Sequence, residues 1–244
     1  MLSWLREINY YGRLLKELVF PRRCAICGAG IEAGYVCEKC RQHYLLQKEV
    51  RCTPREEFLA GQAEPVAGDV LKSILLLYKY DGVYMQALHE VKFAGDANLL
   101  PFLREEAEAA LPGAKLRWLQ QFDVVTCVPT SPERLQKRGF DVPQELFGAL
   151  LDQRSNCIYS DAVLTRVRRT APLFELKPEE RRQELAGCFA LREDFSVAGK
   201  RILLCDDIFT TGSTLTEAAR VLLGAGARSV SALAFTAARE NWGK

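Results

Sequence analysis

Residues 202–214 read ILLCDDIFTTGST, and this stretch decides the fold class. Its four leading apolar residues, 202–205, predict a short strand that is buried on both faces, as in a parallel sheet covered by helices. Two adjacent carboxylates, Asp206 and Asp207, follow at the carboxyl end of that strand, where open α/β sheets bind ligands. A loop of small residues comes next, and an apolar helical pattern begins at Leu215. The stretch therefore predicts an α/β fold with a ligand site at this strand end.

The loop after the carboxylates has the composition of a phosphate site. Backbone N–H groups at a helix N-terminus, together with small hydroxyl side chains, bind phosphate readily, and a glycine lets the backbone approach it. Asp206 and Asp207 would then face ribose hydroxyls or a phosphate-bound metal ion. The alternative is an ordinary strand–turn–helix junction, which would gain nothing from two carboxylates that repel each other. The candidate phosphate-binding residues are Thr210, Thr211, Gly212, Ser213 and Thr214.

This order of strand, acidic pair and Thr-Thr-Gly-Ser-Thr loop resembles the phosphoribosyl pyrophosphate (PRPP) binding motif of type I phosphoribosyltransferases. The resemblance implies a parallel sheet flanked by helices. It also implies that Asp206 and Asp207 form the catalytic acidic pair and that Mg²⁺ accompanies the bound PRPP.

Composition limits the other possibilities. The 244 residues suffice for one sizeable domain and a small module, and 48% apolar residues predict a packed core. A net charge of +2 gives no overall electrostatic argument for nucleic-acid binding, so such binding would need a local patch. The nine cysteines are an odd number, and no signal peptide or membrane-length apolar run is visible. We therefore expect a cytoplasmic protein in a reducing compartment.

Four of the five cysteines in residues 22–52 predict a metal module over this range. They form two C-x2-C pairs, a pattern that suits tetrahedral Zn²⁺ with four thiolates and no open position, hence a structural site. Free thiols or a redox pair are the alternatives. The candidate ligands are Cys24, Cys27, Cys37 and Cys40.

The rest of the chain divides around this module. Residues 1–21 predict an amphipathic helix that packs on the protein or, alternatively, docks on a partner or a membrane surface. Residues 53–70 predict a linker, and 71–244 an α/β domain in which strands and helices alternate. The predicted strands are 73–80, 123–128, 202–205 and 230–235, and the predicted helices are 83–93, 98–111, 143–151 and 215–223.

Two basic segments accompany the acidic pair. Arg134, Lys137 and Arg138 follow the predicted strand 123–128, at the same sheet edge as the phosphate loop, and would neutralise a pyrophosphate together with Lys92. A solvated basic loop is the alternative. The second segment contains Arg166, Arg168 and Arg169. It predicts a basic hood over the site or a nucleic-acid patch, and the alternative is a charged strand edge.

Several further segments are spread over nearly the whole chain. With those already described, they are the helix ending at Pro21, the four cysteines, Tyr80-Asp81-Gly82, residues 92–96, Pro129, residues 138–140, 166–170, Glu180-Arg181, 187–189 and the PRPP loop. Together these segments resemble the ComF family, although Asp141-Val142, Pro172-Leu173 and Glu184 stand where the family often has amide-bearing residues. The resemblance implies a role in natural competence, with uptake of transforming single-stranded DNA and a ComFA-type helicase as partner.

Three functional hypotheses follow. The first is a ComF-type protein of DNA uptake whose domain binds PRPP or a related ribose phosphate. The second is a salvage phosphoribosyltransferase, which needs a base pocket, whereas residues 232–238 offer only Thr236 as a polar side chain. The third is a regulator that senses PRPP without turnover. The sequence leaves open whether the domain is catalytic.

Overall fold

The computed structural model describes residues 23–24, 26–32, 34–45, 51–54, 70–111, 118–154, 157–170 and 176–238. The predicted helix over 1–21 lies outside the described residues, as does nearly all of the predicted linker over 53–70. The chain divides into two compact units, Met1–Lys48 and Glu49–Lys244. Among the described residues, none of the helices has both the length and the apolar character needed to cross a membrane.

The first unit is organised around its cysteines. Arg23 and Gly30 form an isolated antiparallel bridge, which folds the first cysteine pair into a tight loop. Helix α1 (Glu38–Leu45) follows the second pair. Cys24, Val36 and Cys40 are the buried apolar side chains of the described part of this unit. Within these described residues, so small a set of apolar side chains would not hold the segment folded without a further cross-link such as a metal ion.

The second unit contains a six-stranded sheet in the order β1-β2-β8-β7-β3-β4. Neighbouring strands from β2 to β4 pair in parallel, and β1 adds an antiparallel edge. A separate antiparallel pair, β5 and β6, lies between β4 and β7 in the chain. The strands are β1 (Arg51–Pro54), β2 (Leu71–Lys79), β3 (Val124–Cys127), β4 (Ile158–Tyr159), β5 (Leu164–Arg166), β6 (Phe189–Leu191), β7 (Arg201–Phe209) and β8 (Ser229–Ala237).

Helices flank this sheet, as the alternating sequence pattern predicts. One of them, α2, runs directly into a π-helical turn, Glu90–Ala94, which is followed by a 3₁₀ turn, Ala97–Leu99. The α-helices are α2 (Gly82–His89), α3 (Leu100–Ala109), α4 (Pro132–Arg138), α5 (Val142–Arg154), α6 (Pro178–Leu185) and α7 (Ser213–Gly224). The α/β fold class is thereby confirmed.

Strand β7 is longer than predicted. The sequence pattern ends the strand at Cys205 because two carboxylates follow, yet pairing with β8 continues to Phe209, opposite Ala237. Asp206 and Asp207 therefore lie within the strand, and both are buried. The parallel pairing with β8 provides hydrogen-bond partners for backbone groups of β7 over these residues, so the carboxylates do not end the strand.

The sheet has a topological switch point between β3 and β7. The chain proceeds from β3 to its neighbour β4 on one side, and from β7 to its neighbour β8 on the other. The loops after β3 and β7 consequently lead away from each other and leave a crevice at their carboxyl ends. Open α/β sheets bind ligands in such a crevice.

Candidate functional site

A cavity of about 540 Å³ opens at the switch point. Its lining contains six cationic and two anionic side chains among the described residues. The predicted residues that line it are Lys92, Arg134, Lys137, Arg138, Asp206, Asp207, Thr210 and Thr214. Residues from distant parts of the sequence thus meet in one concave site. Thr211, Gly212 and Ser213, also predicted, are not among its lining residues.

Asp206 and Asp207 both line this cavity, and both are buried. Burial raises the pKa of Asp206 well above its usual value, and the neighbouring Asp207 carboxylate raises it further. The Asp207 backbone N–H donates to Asp206 Oδ1 at 2.9 Å. Lys92 Nζ lies 2.7 Å from Asp207 Oδ1, so this ammonium compensates one of the two acids. The pair can accept hydrogen bonds from vicinal hydroxyls or take part in binding a hard cation.

Lys92 reaches Asp207 from the π-helical turn Glu90–Ala94. Such turns are uncommon and are frequent at functional sites, because the extra residue redirects the side chains that follow. Gly95 ends the turn at φ +72°. Arg138 Nη2 donates to the Lys92 carbonyl oxygen at 2.9 Å, which connects this turn to the helix after β3.

The predicted phosphate loop connects β7 to helix α7. Gly212 adopts φ +75°, and the helix begins at the next residue, Ser213, two positions before the predicted start. The hydroxyls of Thr211 and Ser213 lie 2.8 Å apart and therefore bond to each other across the loop. Thr210 and Thr214 of this loop line the cavity, so a helix N-terminus, which favours a bound anion, begins beside it.

Two further arginines line the cavity, and the sequence pattern did not bring them together. Arg166 ends β5, and its guanidinium lies 5.5 Å from the centre of the Phe189 ring. Arg181, on α6, donates from Nη1 to Thr210 Oγ1 at 3.4 Å and from Nε to the Leu176 carbonyl at 2.8 Å. The spacing of residues in the sequence does not predict that Arg166 and Arg181 meet at this cavity. Both lie in the segment between β4 and β7, and the fold of that segment brings them together.

The other arginines of the predicted basic patch are directed elsewhere. Arg168 Nη1 lies 3.7 Å from Glu184 Oε1, and Arg169 Nε lies 3.2 Å from Glu133 Oε1. Neither lines the cavity. Of the three arginines predicted as a hood, only Arg166 therefore contributes to the site.

Asp141 holds the loop that follows β3. Thr130, a lining residue, donates its backbone N–H to Asp141 Oδ2 at 2.8 Å, and Gln144 donates to Oδ1 at 3.3 Å. Burial raises the pKa of Asp141. The Asp141 carboxylate thus accepts hydrogen bonds from the backbone of the cavity wall. In the ComF family, which this chain resembles, an amide side chain is common at this position.

The four predicted cysteines form a cluster in the first unit. The sulfur atoms of Cys24, Cys27, Cys37 and Cys40 all lie within 4.8 Å of one another. The sulfur atoms of Cys27 and Cys37 are 3.7 Å apart. Zn–S bonds of about 2.3 Å in tetrahedral geometry place two sulfur atoms ~3.8 Å apart, so the observed separation fits such a site.

The environment of Cys24 favours a thiolate. Its sulfur accepts backbone N–H groups from Cys37 at 3.3 Å and from Ile26 at 3.4 Å. Burial opposes ionisation of this thiol, but the N–H donors outweigh it and lower its pKa from 9.0 to about 6. The residues present therefore fit a zinc ion held by four thiolates, which would cross-link the two halves of this unit.

Known proteins resemble both parts of the chain. Residues 153–244 match the phosphoribosyl transferase domain, and residues 15–61 match the double zinc ribbon domain. DNA utilization protein YhgH of Salmonella typhimurium is 31% identical over 222 residues, which cover 87% of this chain and 96% of that protein. Competence protein ComFC of Bacillus subtilis is 27% identical over 239 residues, covering 96% of this chain and 84% of that protein.

The chain belongs to the ComF family. Its relatives share nearly the whole length, so the family relation includes both units. A solved structure of the allosteric regulatory enzyme of purine biosynthesis aligns with a TM-score of 0.37 and 19% identity, over 61% of this chain and 30% of that one. Within this ComF chain, the double zinc ribbon match and the four-cysteine cluster support a structural zinc site.

Proposed function

We propose that this chain is a ComF-type protein that assists the uptake of transforming DNA in natural competence, and that its α/β domain binds PRPP or a related ribose phosphate. The relatives named for DNA utilization and for competence support the first part. The second rests on one observation: a single cavity unites an acidic pair, the end of a phosphate loop and six cationic side chains. These are the groups that a ribose bearing phosphates at both ends would need.

The ligand would be arranged along the cavity by charge. Asp206 and Asp207 bind the ribose hydroxyls, and the loop from Thr210 to Thr214 holds the 5′-phosphate. The pyrophosphate would face four cations of the lining, which are Lys92, Arg134, Lys137 and Arg138. Mg²⁺ would accompany the pyrophosphate, because this ion prefers carboxylate and phosphate oxygens.

Transfer chemistry at such a site is displacement at the anomeric carbon of the ribose. A nucleophilic acceptor forms a bond to that carbon while the bond to the pyrophosphate oxygen breaks, and pyrophosphate leaves with the electron pair. The chain's own contribution would be positioning and stabilisation of the leaving anion by the lysine and arginine side chains. A salvage transferase would carry this through with a free base, whereas a PRPP sensor would stop at binding.

The location and the partners of the protein are inferred from the ComF family. A ComF-type protein would act in the cytoplasm with single-stranded DNA and a ComFA-type helicase. The zinc-binding unit would dock the DNA or the partner, with its closed four-thiolate site serving to hold that unit folded.

The acidic pair provides the direct test. We expect the double variant Asp206→Ala, Asp207→Ala to weaken PRPP binding with Mg²⁺ by at least ~100-fold in calorimetry, since each lost charge-assisted hydrogen bond costs about 1.5–3 kcal/mol. Asp161→Ala removes an exposed carboxylate outside the cavity lining and should bind normally. Unchanged affinity in the double variant would overturn the site assignment.

The same variants separate the functional hypotheses. A competence-capable strain lacking the protein should regain DNA uptake with the wild type and with Asp161→Ala, but not with the double variant. Equal transformation by the double variant would mean that the phosphate site does not serve DNA uptake. Release of pyrophosphate with a panel of free bases would instead favour salvage transfer.

A further inference from the structure

Arg181 lines the cavity beside the phosphate loop. It belongs to helix α6 and shares the cavity lining with Thr210 and Thr214, the two ends of that loop. The Glu180 carboxylate caps the start of α6, because its Oε2 accepts the Lys177 backbone N–H at 2.7 Å. The backbone that carries Arg181 is therefore held in a regular, capped helix.

The guanidinium of Arg181 reaches the first residue of the phosphate loop. Its Nε donates to the Leu176 carbonyl oxygen at 2.8 Å, which orients the guanidinium plane. Its Nη1 donates to Thr210 Oγ1 at 3.4 Å, a length near the upper limit for a hydrogen bond. Both acceptors are neutral oxygens. A phosphate oxygen bound at this loop would form the shorter and stronger charge-assisted hydrogen bond with the same guanidinium.

Other arginines of this region are paired with carboxylates. Arg182, the next residue on α6, has its Nη2 2.8 Å from Glu179 Oε2, and Arg168 Nη1 lies 3.7 Å from Glu184 Oε1. Neither Arg182 nor Arg168 lines the cavity. Within the part of the chain that the structure describes, Arg181 has no carboxylate partner of this kind. Its positive charge therefore acts on whatever occupies the cavity.

The charge on Arg181 bears on the kind of phosphate that the loop accepts. A terminal phosphate monoester carries a charge of about −1.5 to −2 at pH 7, whereas a phosphodiester lacks the second ionisable oxygen. The N-terminus of helix α7 contributes only about half a positive charge. A guanidinium beside this N-terminus therefore gains more from a monoester than from a diester.

We propose that Arg181 binds the 5′-phosphate of the ligand together with the loop from Thr210 to Thr214, and that its guanidinium makes the site select a terminal phosphate monoester over a phosphodiester. The proposal rests on the proposed ribose-phosphate site and specifies its ligand class, a ribose phosphate whose 5′-phosphate carries no further ester. It also gives the 5′-phosphate a cation of its own, separate from the four that would face the pyrophosphate.

Calorimetry on the full-length protein compares ribose 5-phosphate with the same sugar phosphate methylated on one phosphate oxygen. We expect the wild type to bind the unmethylated monoester at least about 10-fold more tightly. Arg181→Gln should weaken binding of the monoester by about 10-fold or more and of the methyl diester by less, because the lost charge responds to the second charge of the phosphate. Arg181→Lys keeps the charge and should retain part of the preference.

A third ligand, pyrophosphate with Mg²⁺, distinguishes a local role from a structural one. Arg181→Gln should bind pyrophosphate within about 2-fold of the wild type, because solvent screening limits the effect of a charge that does not contact the ligand. Arg182→Gln is the matched control. It removes an equal charge from the same helix, outside the cavity lining, and should leave all three affinities unchanged.

The outcomes separate this proposal from the one on which it rests. If ribose 5-phosphate fails to bind the wild type, the proposed ribose-phosphate site is wrong. If it binds folded Arg181→Gln as tightly as the wild type, or if that variant loses the monoester and pyrophosphate equally, the role of Arg181 is wrong and the site stands. Equal binding of the monoester and the methyl diester by the wild type would overturn the selection of a terminal phosphate.

Discussion

At the scale of single residues, the site concentrates charge where the surrounding protein does not favour it. Asp206 and Asp207 are buried neighbours, and among the residues that the structure describes the cation paired with them is Lys92, at 2.7 Å from Asp207. Burial and the charge of the neighbouring Asp207 raise the pKa of Asp206. Hydroxyl donors or a cation would relieve the same repulsion, which is a physical reason for such a pair to bind a ribose.

Gly212 provides a second residue-scale test. Its φ is +75°, and a Cβ added there would lie 2.7 Å from the buried Phe209 ring. We expect Gly212→Ala to cost about 1–3 kcal/mol and to weaken ribose 5-phosphate binding, since the loop must shift. Denaturant unfolding and calorimetry measure the two effects.

The control for this variant lies at the other end of the same helix. At Gly224 an added Cβ meets nothing within 4 Å, so Gly224→Ala should be neutral or stabilising by up to ~1 kcal/mol. If Gly212→Ala behaves like Gly224→Ala, the loop does not need the left-handed conformation.

Residues that are close in sequence could be predicted as a site, and residues that meet only in the fold could not. The acidic pair and the loop up to Thr214 form one continuous stretch, so their order alone indicates a phosphate site. Arg181 and Phe93 come from separate elements, and only the packing of α6 and of the π-helical turn brings them to the cavity. Arg169, predicted as part of a basic hood, pairs with Glu133 instead.

At the scale of elements, the burial of a strand or helix decides whether its apolar pattern predicts it. Strands β2, β3, β7 and β8 are apolar runs because the sheet is covered on both faces, and each was predicted. Helix α4 buries none of its residues and therefore has no apolar period to detect. The pair β5 and β6 has only three residues in each strand, too few for a pattern.

The start of β7 is fixed to the residue before β3 by an ion pair. Asp123 accepts from Arg201 Nη2 at 2.8 Å, from Nε at 3.0 Å and from the backbone N–H at 2.8 Å. These hydrogen bonds from Arg201 lower the pKa of Asp123 from 3.8 to about 2. Because both side chains are about 40% exposed, solvent screening reduces the stabilisation to about 1 kcal/mol.

We therefore expect Asp123→Asn to unfold more easily at neutral pH, by about 1 kcal/mol. The lowered pKa means that the wild-type advantage is complete above pH 3.8 and disappears as the pH falls toward about 2. Urea unfolding between pH 2 and pH 7 measures it, with the exposed Asp152→Asn on α5 as the control. A difference that persists undiminished at pH 2 would exclude ionisation of Asp123 as its source.

At the scale of the whole molecule, overall charge conceals a local imbalance. The chain carries 33 basic and 31 acidic residues, which alone indicates no anionic ligand. Six cations and two carboxylates nevertheless line one cavity. A concave site that focuses one sign of charge attracts anions regardless of the net charge of the protein. The fold, rather than the composition, creates the electrostatic argument for a phosphate ligand.

The two compact units allow a final prediction, about zinc. Purified protein should contain about one zinc per chain, and Cys24→Ser should lose it, because four thiolates complete the site. Since structural zinc supplies about 10–16 kcal/mol in small modules, we expect a strong chelator to unfold the first unit. Ribose 5-phosphate binding should survive, because the lining residues of the cavity that the structure describes all belong to the second unit. Cys157→Ala, in the second unit, should retain its zinc, and a metal-free protein with native-like amide-exchange protection over residues 23–45 would refute the metal site.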